Sequence, residues 1–328
     1  METIARADTM EHLRMRLSVI GEAVPKGSQI VYLDYPVYEN IGDLLIMKGA
    51  EAFFKAYGIR VRRRYAYVNF RPRKIPRDWI IVCQGGGNFG DLYPQHHSFR
   101  ERIAAAYPDN RIVVLPQTIH FKDAEEEERS FRLFSKHPDF HLFVRDERSR
   151  QTAARWLSNV VLCPDMAHQL YPIAAGNSPR EPLLSLIRAD GEGNVESEAA
   201  AMSQDNEKTV DWPDLFNSWD RILIPFIVRC HSLDRRLGNP FPLRRIWYFL
   251  ANLYTARAIR LFERYETIVT SRLHGHLLAC LMGKNNVLVD NSYGKNTGYY
   301  RQWTSGSEAT GHGTEIRNDA GDLYSRSS

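Results

Sequence analysis

Arg272 and His274 stand two residues apart in Thr267-Ile-Val-Thr-Ser-Arg-Leu-His-Gly-His276, where an apolar strand gives way to a polar turn. Arg272 is a permanent, forked cation suited to phosphate or carboxylate. His274 is the side-chain type that exchanges protons most readily near neutral pH. Together they imply acid/base work on an anionic substrate. More cations end other strands: Arg145 in Val144-Arg-Asp-Glu-Arg-Ser149, Arg188 after Leu183–Ile187, and Lys295 a short loop beyond Asn286–Asp290. Each alone reads equally well as an exposed ion-pair partner, and His274 as a satisfied structural histidine. Gathered at the carboxyl ends of parallel strands, they would focus a positive field on one cleft.

Two other turns carry candidate groups. Asn40-Ile-Gly-Asp43 leads into a helix, and Asp43 is either its cap or an acceptor for a sugar hydroxyl, even a general base. Gln84-Gly-Gly-Gly-Asn-Phe-Gly-Asp91 follows a strand, so Gly85, Gly86, Gly87, Asn88 and Asp91 are candidates for an anion or sugar-binding loop. It fits neither GxGxxG nor the P-loop, and without a following GK[ST] ATP hydrolysis is disfavoured. Cys83, Cys163, Cys230 and Cys280 are widely spaced without a CxxC pair. They read as reduced thiols, with no metal site.

The elements that must position these groups alternate. Apolar strands are expected at Gln29–Asp34, Trp79–Cys83, Arg111–Leu115 (closed by Pro116), His141–Val144 and Val160–Cys163. Amphipathic helices fall between them, at Asp43–Tyr57, His96–Tyr107, Glu125–Lys136 and Ser149–Leu157. Apolar strands between helices point to parallel sheets covered on both faces. A cluster of Pro and Gly at 173–182 reads as a linker. The expected organisation is a mobile segment over 1–27 with a helix near Met10–Glu22, an α/β domain over 28–172, a second over 183–303, and a disordered tail over 304–328. In the second half, 190–212 reads as a flexible loop, Arg221–Val228 as a strand, and Arg244–Tyr265 as a helix whose stripe of Trp247, Tyr248, Leu250 and Tyr254 reads as core in preference to a membrane anchor.

The 328 residues carry 43 basic and 39 acidic side chains, a net charge of +4, so the global field is weak. Locally, Arg60 to Arg77 is strongly basic and interleaved with Tyr65, Tyr67 and Phe70. A solvated basic strand and loop, an anionic substrate or an anionic membrane explains this better than RNA, for which no motif is present; no nucleic acid is expected. No apolar run approaches the ~18 residues of a membrane span, and no signal-peptide core opens the chain. A cytoplasmic protein, with at most peripheral contact at the inner membrane, is the expectation.

Six motifs in order resemble the polysaccharide pyruvyl transferases: Asn40-Ile-Gly-Asp43, Gly85-Gly-Gly-Asn88, Leu115-Pro-Gln-Thr118, Val144-Arg-Asp-Glu-Arg-Ser149, Cys163-Pro-Asp165 and Ser271-Arg-Leu-His-Gly275. The resemblance implies two Rossmann-like domains with parallel sheets facing a cleft, as in GT-B glycosyltransferases. It implies pyruvate transfer from phosphoenolpyruvate, a co-substrate with no further cofactor, to two hydroxyls of a sugar in an oligosaccharide or lipid-linked oligosaccharide. It also implies a catalytic role for His274 and donor contacts from Arg272, Arg145 and Lys295. A GT-B glycosyltransferase using a sugar nucleotide is the competing reading.

Overall fold

The computed structural model describes residues 2–174, 176, 178–188, 208–238, 240–289, 295–305 and 315–317. Two parallel sheets make up the chain. The first has seven strands: β1 (Gln29–Leu33), β2 (Arg60–Tyr65), β3 (Ile80–Cys83), β4 (Gly86–Gly90), β5 (Ile112–His120), β6 (Phe140–Val144) and β7 (Val160–Leu162), in the order β2-β1-β3-β5-β6-β7, with β4 also on β5. The second has five: β8 (Glu181–Leu186), β9 (Lys208–Val210), β10 (Tyr265–Thr270), β11 (Asn285–Val289) and β12 (Glu315–Arg317), in the order β12-β11-β10-β8-β9.

Strand β5 does not stop at Pro116 but runs through it to His120. The reason lies in the pairing. β3 leaves β5 at Val114 and β4 joins it from Gln117, while the register to β6 shifts over the same gap. The missing N–H of Pro116 therefore falls where no ladder bond is needed. The expected glycine loop is likewise a short strand. A Cβ on Gly85 would stand 2.7 Å from the Pro116 carbonyl oxygen and one on Gly90 1.8 Å from that of His120, so both glycines allow close strand packing.

The helices are α1 (Glu2–Arg16), α2 (Ile20–Ala23), α3 (Ile41–Ala56), α4 (Pro94–Ala106), α5 (Ala124–Ser135), α6 (Glu147–Ala154), α7 (Ser218–Leu237), α8 (Leu243–Glu263), α9 (Leu273–Leu281) and α10 (Lys295–Tyr299). The N-terminal segment is not a mobile start: Met10, Leu13, Leu17, Ile20 and Val24 are buried in the core. Arg221–Val228 lies in a helix, not a strand. Asn217 and Asp220 form a capping box at its start, and Ile224, Ile227 and His231 recur on its buried face. Pro225 also lies inside the helix, at an exposed position off this face. Residues 208–210 and 315–317 form edge strands where loop and tail were expected; 189–207 and 318–328 lie outside the described residues.

Alternation along β1 divides the core. Val31 and Leu33 face α4 and α5 with Phe99, Phe131 and Phe134. Ile30 and Tyr32 face α3, and their cluster continues without interruption into the second sheet through Met166, Leu184, Ile268 and Leu278. Helix α3 thus lies between the sheets. A Cβ on Gly49, in its middle, would meet the Met166 carbonyl at 2.0 Å. Gly49→Ala should therefore cost about 1–3 kcal/mol as overpacking, read as a lower urea midpoint; an unchanged midpoint would contradict this contact.

Candidate functional site

Turns that follow β1, β6, β8 and β10 converge on a cavity of about 470 Å³. The first sheet contributes Asn40, Asp43, Gly87, Asn88 and Arg145, and the second Arg188, Arg272 and His274. These sequence candidates share one site.

His274 enters from the first turn of α9. The preceding turn is pinned by Thr270, whose Oγ1 accepts the Arg272 N–H at 3.0 Å and donates to the Leu186 carbonyl at 2.9 Å. Its ring lies on the first turn of α3, where a Cβ on Gly42 would be 2.8 Å from Nδ1. That close approach explains the glycine of Asn40-Ile-Gly-Asp43. On the other side, Nε2 of His274 is 3.3 Å from Oδ2 of Asp165. The same oxygen accepts from Nη1 of Arg145 at 2.6 Å, and Oδ1 accepts the Ala167 N–H at 2.9 Å. Asp165 is 0% exposed. Burial alone would raise its carboxyl, but the charge and hydrogen bond of His274, with Arg145, hold it well below the usual carboxylate range. The hydroxyl of Tyr299 accepts the Asp165 N–H at 2.9 Å and lies 3.0 Å from Nε2 of His168, whose pKa burial pushes down to about 4.

Both arginines expected at the donor are anchored by carboxylates. Arg145 is 3% exposed; besides Asp165 it donates through Nε to Thr118 Oγ1 at 2.8 Å, and its carbonyl accepts from Trp303. Arg272 forms a two-point pair with Asp211, 2.8 Å from Nε to Oδ1 and 2.5 Å from Nη2 to Oδ2. Asp211 lies in the stretch read as a flexible loop, and nothing in its neighbourhood marks it as a partner for a turn sixty residues on. At Arg145 and Arg272 the cavity wall therefore pairs its cations with buried carboxylates instead of leaving them bare. The backbone N–H of Arg188 donates to Ser271 Oγ at 2.8 Å. The Lys295 side chain lies outside the described residues.

Asp43 is not the cap of α3. Asn40 is, accepting from the N–H groups of Gly42 and Asp43, while Oδ2 of Asp43 accepts from the Tyr38 hydroxyl at 3.0 Å and Asn40 Nδ2 at 2.8 Å. Gly85, Gly86 and Asp91 do not line the cavity. Gly85 supports strand packing, Gly86 lies beside Asp43, and Asp91 accepts the N–H groups of Lys122 and Asp123 at 2.6 and 3.1 Å ahead of α5.

Sequence reasoning missed a second histidine. His96 lines the cavity, and its Nδ1 lies 2.8 Å from Oδ1 of Asp34. Asp34, at a φ of +65°, uses Oδ2 to accept from Nη2 of Arg100 at 3.0 Å. Arg100 is fully buried and also donates to the carbonyl and side-chain oxygens of Asn88, at 2.9 and 2.6 Å. With a paired carboxylate on Nδ1, the imidazole keeps its basic lone pair on Nε2. Tyr38 and Tyr67 pack edge-on to the ring. The available signal was the four-residue step from His96 to Arg100 on one helix face; Asp34, after β1, is 62 residues away.

Comparison with known proteins identifies a family. The polysaccharide pyruvyl transferase family model matches residues 40–293. EpsO of Bacillus subtilis is 44% identical over 305 residues, covering 92% of this chain and 94% of that one. Pyruvyl transferase 1 of Schizosaccharomyces pombe is 26% identical over 299 residues, 86% of this chain and 71% of that one. A crystal structure of a functionally uncharacterised Klebsiella pneumoniae protein superposes with a TM-score of 0.57 at 21% identity, over 89% of this chain and 93% of that one; it supports the fold alone.

A lowered Asp165 pKa stabilises the fold above the unfolded carboxylate value of about 4, and that contribution is lost as pH falls below it. Asp165→Asn should therefore lower the urea midpoint at pH 7, and the gap from wild type should narrow in acid. A gap independent of pH would show that the carboxylate charge is not what matters.

Proposed function

The chain belongs to the polysaccharide pyruvyl transferase family, and from that premise we propose that it moves pyruvate from phosphoenolpyruvate onto two hydroxyls of one sugar, closing a pyruvate ketal. The acceptor is a sugar of a bacterial surface polysaccharide or its lipid-linked precursor, and the work is done on the cytoplasmic side. The two sheets then correspond to two Rossmann-like units arranged as in GT-B enzymes. The single observation that carries the reading is a pair of histidines, His274 and His96, each held by a carboxylate and both lining one cavity with Arg145, Arg188 and Arg272.

As an imidazolium, His274 gives its proton to the methylene carbon of phosphoenolpyruvate, and positive charge develops at C2. Asp165 steadies that imidazolium without leaving its buried position. A sugar hydroxyl attacks C2 and passes its proton to Nε2 of His96. The C2–O bond to phosphate breaks, its electron pair leaving with the phosphate. The second hydroxyl then adds to C2. His96 gives the first hydroxyl proton to the departing phosphate, and the proton of the second hydroxyl replaces the one taken from His274. Asp43, joined to Tyr38 and Asn40, orients the acceptor beside His96. Arg272 and Arg188, with Lys295 and the more deeply set Arg145, hold the phosphate and carboxylate. No redox step, metal or cofactor is required by this chemistry. The family match does not favour a sugar-nucleotide donor.

The test is turnover of phosphoenolpyruvate with an acceptor oligosaccharide, followed by phosphate release and by a mass gain of one pyruvate less water. In D2O the ketal methyl should carry one solvent deuteron. His274→Ala and His96→Ala should each lower kcat by about 10² to 10⁴, with melting curves close to wild type. His96→Ala should leave the KM for phosphoenolpyruvate in place. Full activity in His274→Ala, or saturation by a nucleotide sugar in place of phosphoenolpyruvate, would sink the reading.

A further inference from the structure

Helices α7 and α8 form a hairpin whose inner and outer faces differ sharply. Inward, Ile224, Ile227, Trp247 and Tyr254 are buried, and the Trp247 indole donates to the Pro36 carbonyl at 2.6 Å. Outward, Trp219 (78% exposed), Ile222, Phe226, Leu233 and Leu237 run along α7 at steps of three, four, seven and four residues. That spacing makes one continuous stripe. Phe241 in the turn, with Ile246 and Phe249 (70% exposed) on α8, extends the stripe across the hairpin. Soluble surfaces scatter single apolar residues; a patch of this extent marks an interaction site.

Along the two helices as far as Phe249 the exposed charges are all basic, and the exposed acid ahead of α7 is Asp214. Arg221, Arg229, Arg236 and Arg245 are exposed. The acidic groups within 217–249 are Asp220 and Asp234, both buried: Asp220 pairs with Arg257, and Asp234 accepts the Phe241 N–H at 3.0 Å. The loop after β2 packs against the inner side of the hairpin, where Asn69 Nδ2 lies 2.9 Å from His231 on α7, and exposed Arg71 follows two residues later. An aromatic and aliphatic stripe flanked by guanidinium groups, with no exposed carboxylate between Ser218 and Phe249, complements an anionic lipid surface. A second copy of the same face would instead set arginine against arginine. No helix among the described residues is long and apolar enough to cross a membrane.

We propose that the α7–α8 hairpin docks the protein on the surface of an anionic lipid bilayer, with Trp219, Phe226 and Phe249 entering the headgroup region and the arginines contacting lipid phosphates. The hairpin borders the cavity: Pro36, which it grips, is two residues from Tyr38 on the cavity wall, and Trp212, also on that wall, leads into α7. If the acceptor is lipid-linked, a consequence that rests on the reading above, docking brings its sugar to the cavity without the lipid leaving the bilayer.

The experiment is co-sedimentation of the full chain with phosphatidylcholine vesicles with and without phosphatidylglycerol, alongside the oligomeric state by light scattering. It needs no turnover, so it fails or succeeds independently of the pyruvyl transfer assay. Binding should be at least about tenfold stronger to the anionic vesicles and weaken with salt. The Trp219→Ser/Phe226→Ser/Phe249→Ser variant should lose about tenfold or more while keeping its melting curve, because these side chains already face water. Arg229→Glu/Arg236→Glu/Arg245→Glu should abolish the preference for anionic vesicles. Absence of the wild-type chain from both vesicle pellets overturns the proposal. So does a dimer that the serine variant splits while vesicle binding stays unchanged.

Discussion

A fully buried carboxylate needs partners, because an unpaired charge inside protein is among the most destabilising groups a fold can hold. Asp165 meets that need with Arg145, His274, the Ala167 N–H and, through its own backbone, the Tyr299 hydroxyl. Those partners come from β6, α9, the turn after β7 and α10, so one oxygen pair ties together elements of both sheets. Satisfying this charge therefore also fixes where His274 stands. Arg145 helps set the site by holding Asp165, and its depth in the wall follows from that.

Close approach is the second constraint. His274 can rest on α3 because Gly42 has no side chain, and α3 can cross the Met166 backbone because Gly49 has none. Gly275 serves the same helix start from the other side, since a Cβ there would fall 2.4 Å from Thr270 Oγ1. These glycines have ordinary helical backbones; what they supply is space, not conformational freedom. The site is tight, and tightness holds reacting groups within the small tolerances that proton transfer requires.

Two histidine–carboxylate pairs line one cavity in different surroundings. Asp165 shares its charge with Arg145 and His274, and Asp34 shares its own with Arg100 and His96. Each carboxylate is thus matched by an arginine before the histidine is counted, so either ring can change charge without stranding a buried anion. The same logic places Asp211 against Arg272. Outside the cavity the rule is reversed: the hairpin leaves its arginines exposed and its apolar stripe uncovered, as a surface meant for another phase would.

The sequence alone determined the parallel α/β class, the strand ends that bear chemistry and the family, because apolar periodicity and the residues of tight turns are local properties. His274, Arg272, Arg145, Asp43 and Asn88 could be named from their turns, and Trp247 and Tyr254 placed in the core from their spacing. Tertiary structure alone decided the partnerships. Asp211 meets Arg272 across 61 residues and Asp34 meets His96 across 62, distances over which sequence carries no signal of contact. It also decided that the glycines after β3 pack a strand, since only the position of β5 shows what a side chain there would strike. Arg221–Val228 misled for a related reason: a run rich in Ile and Val suits strand or helix equally, and the cap at Asn217 and the core waiting for Ile224 and Ile227 settle which one forms.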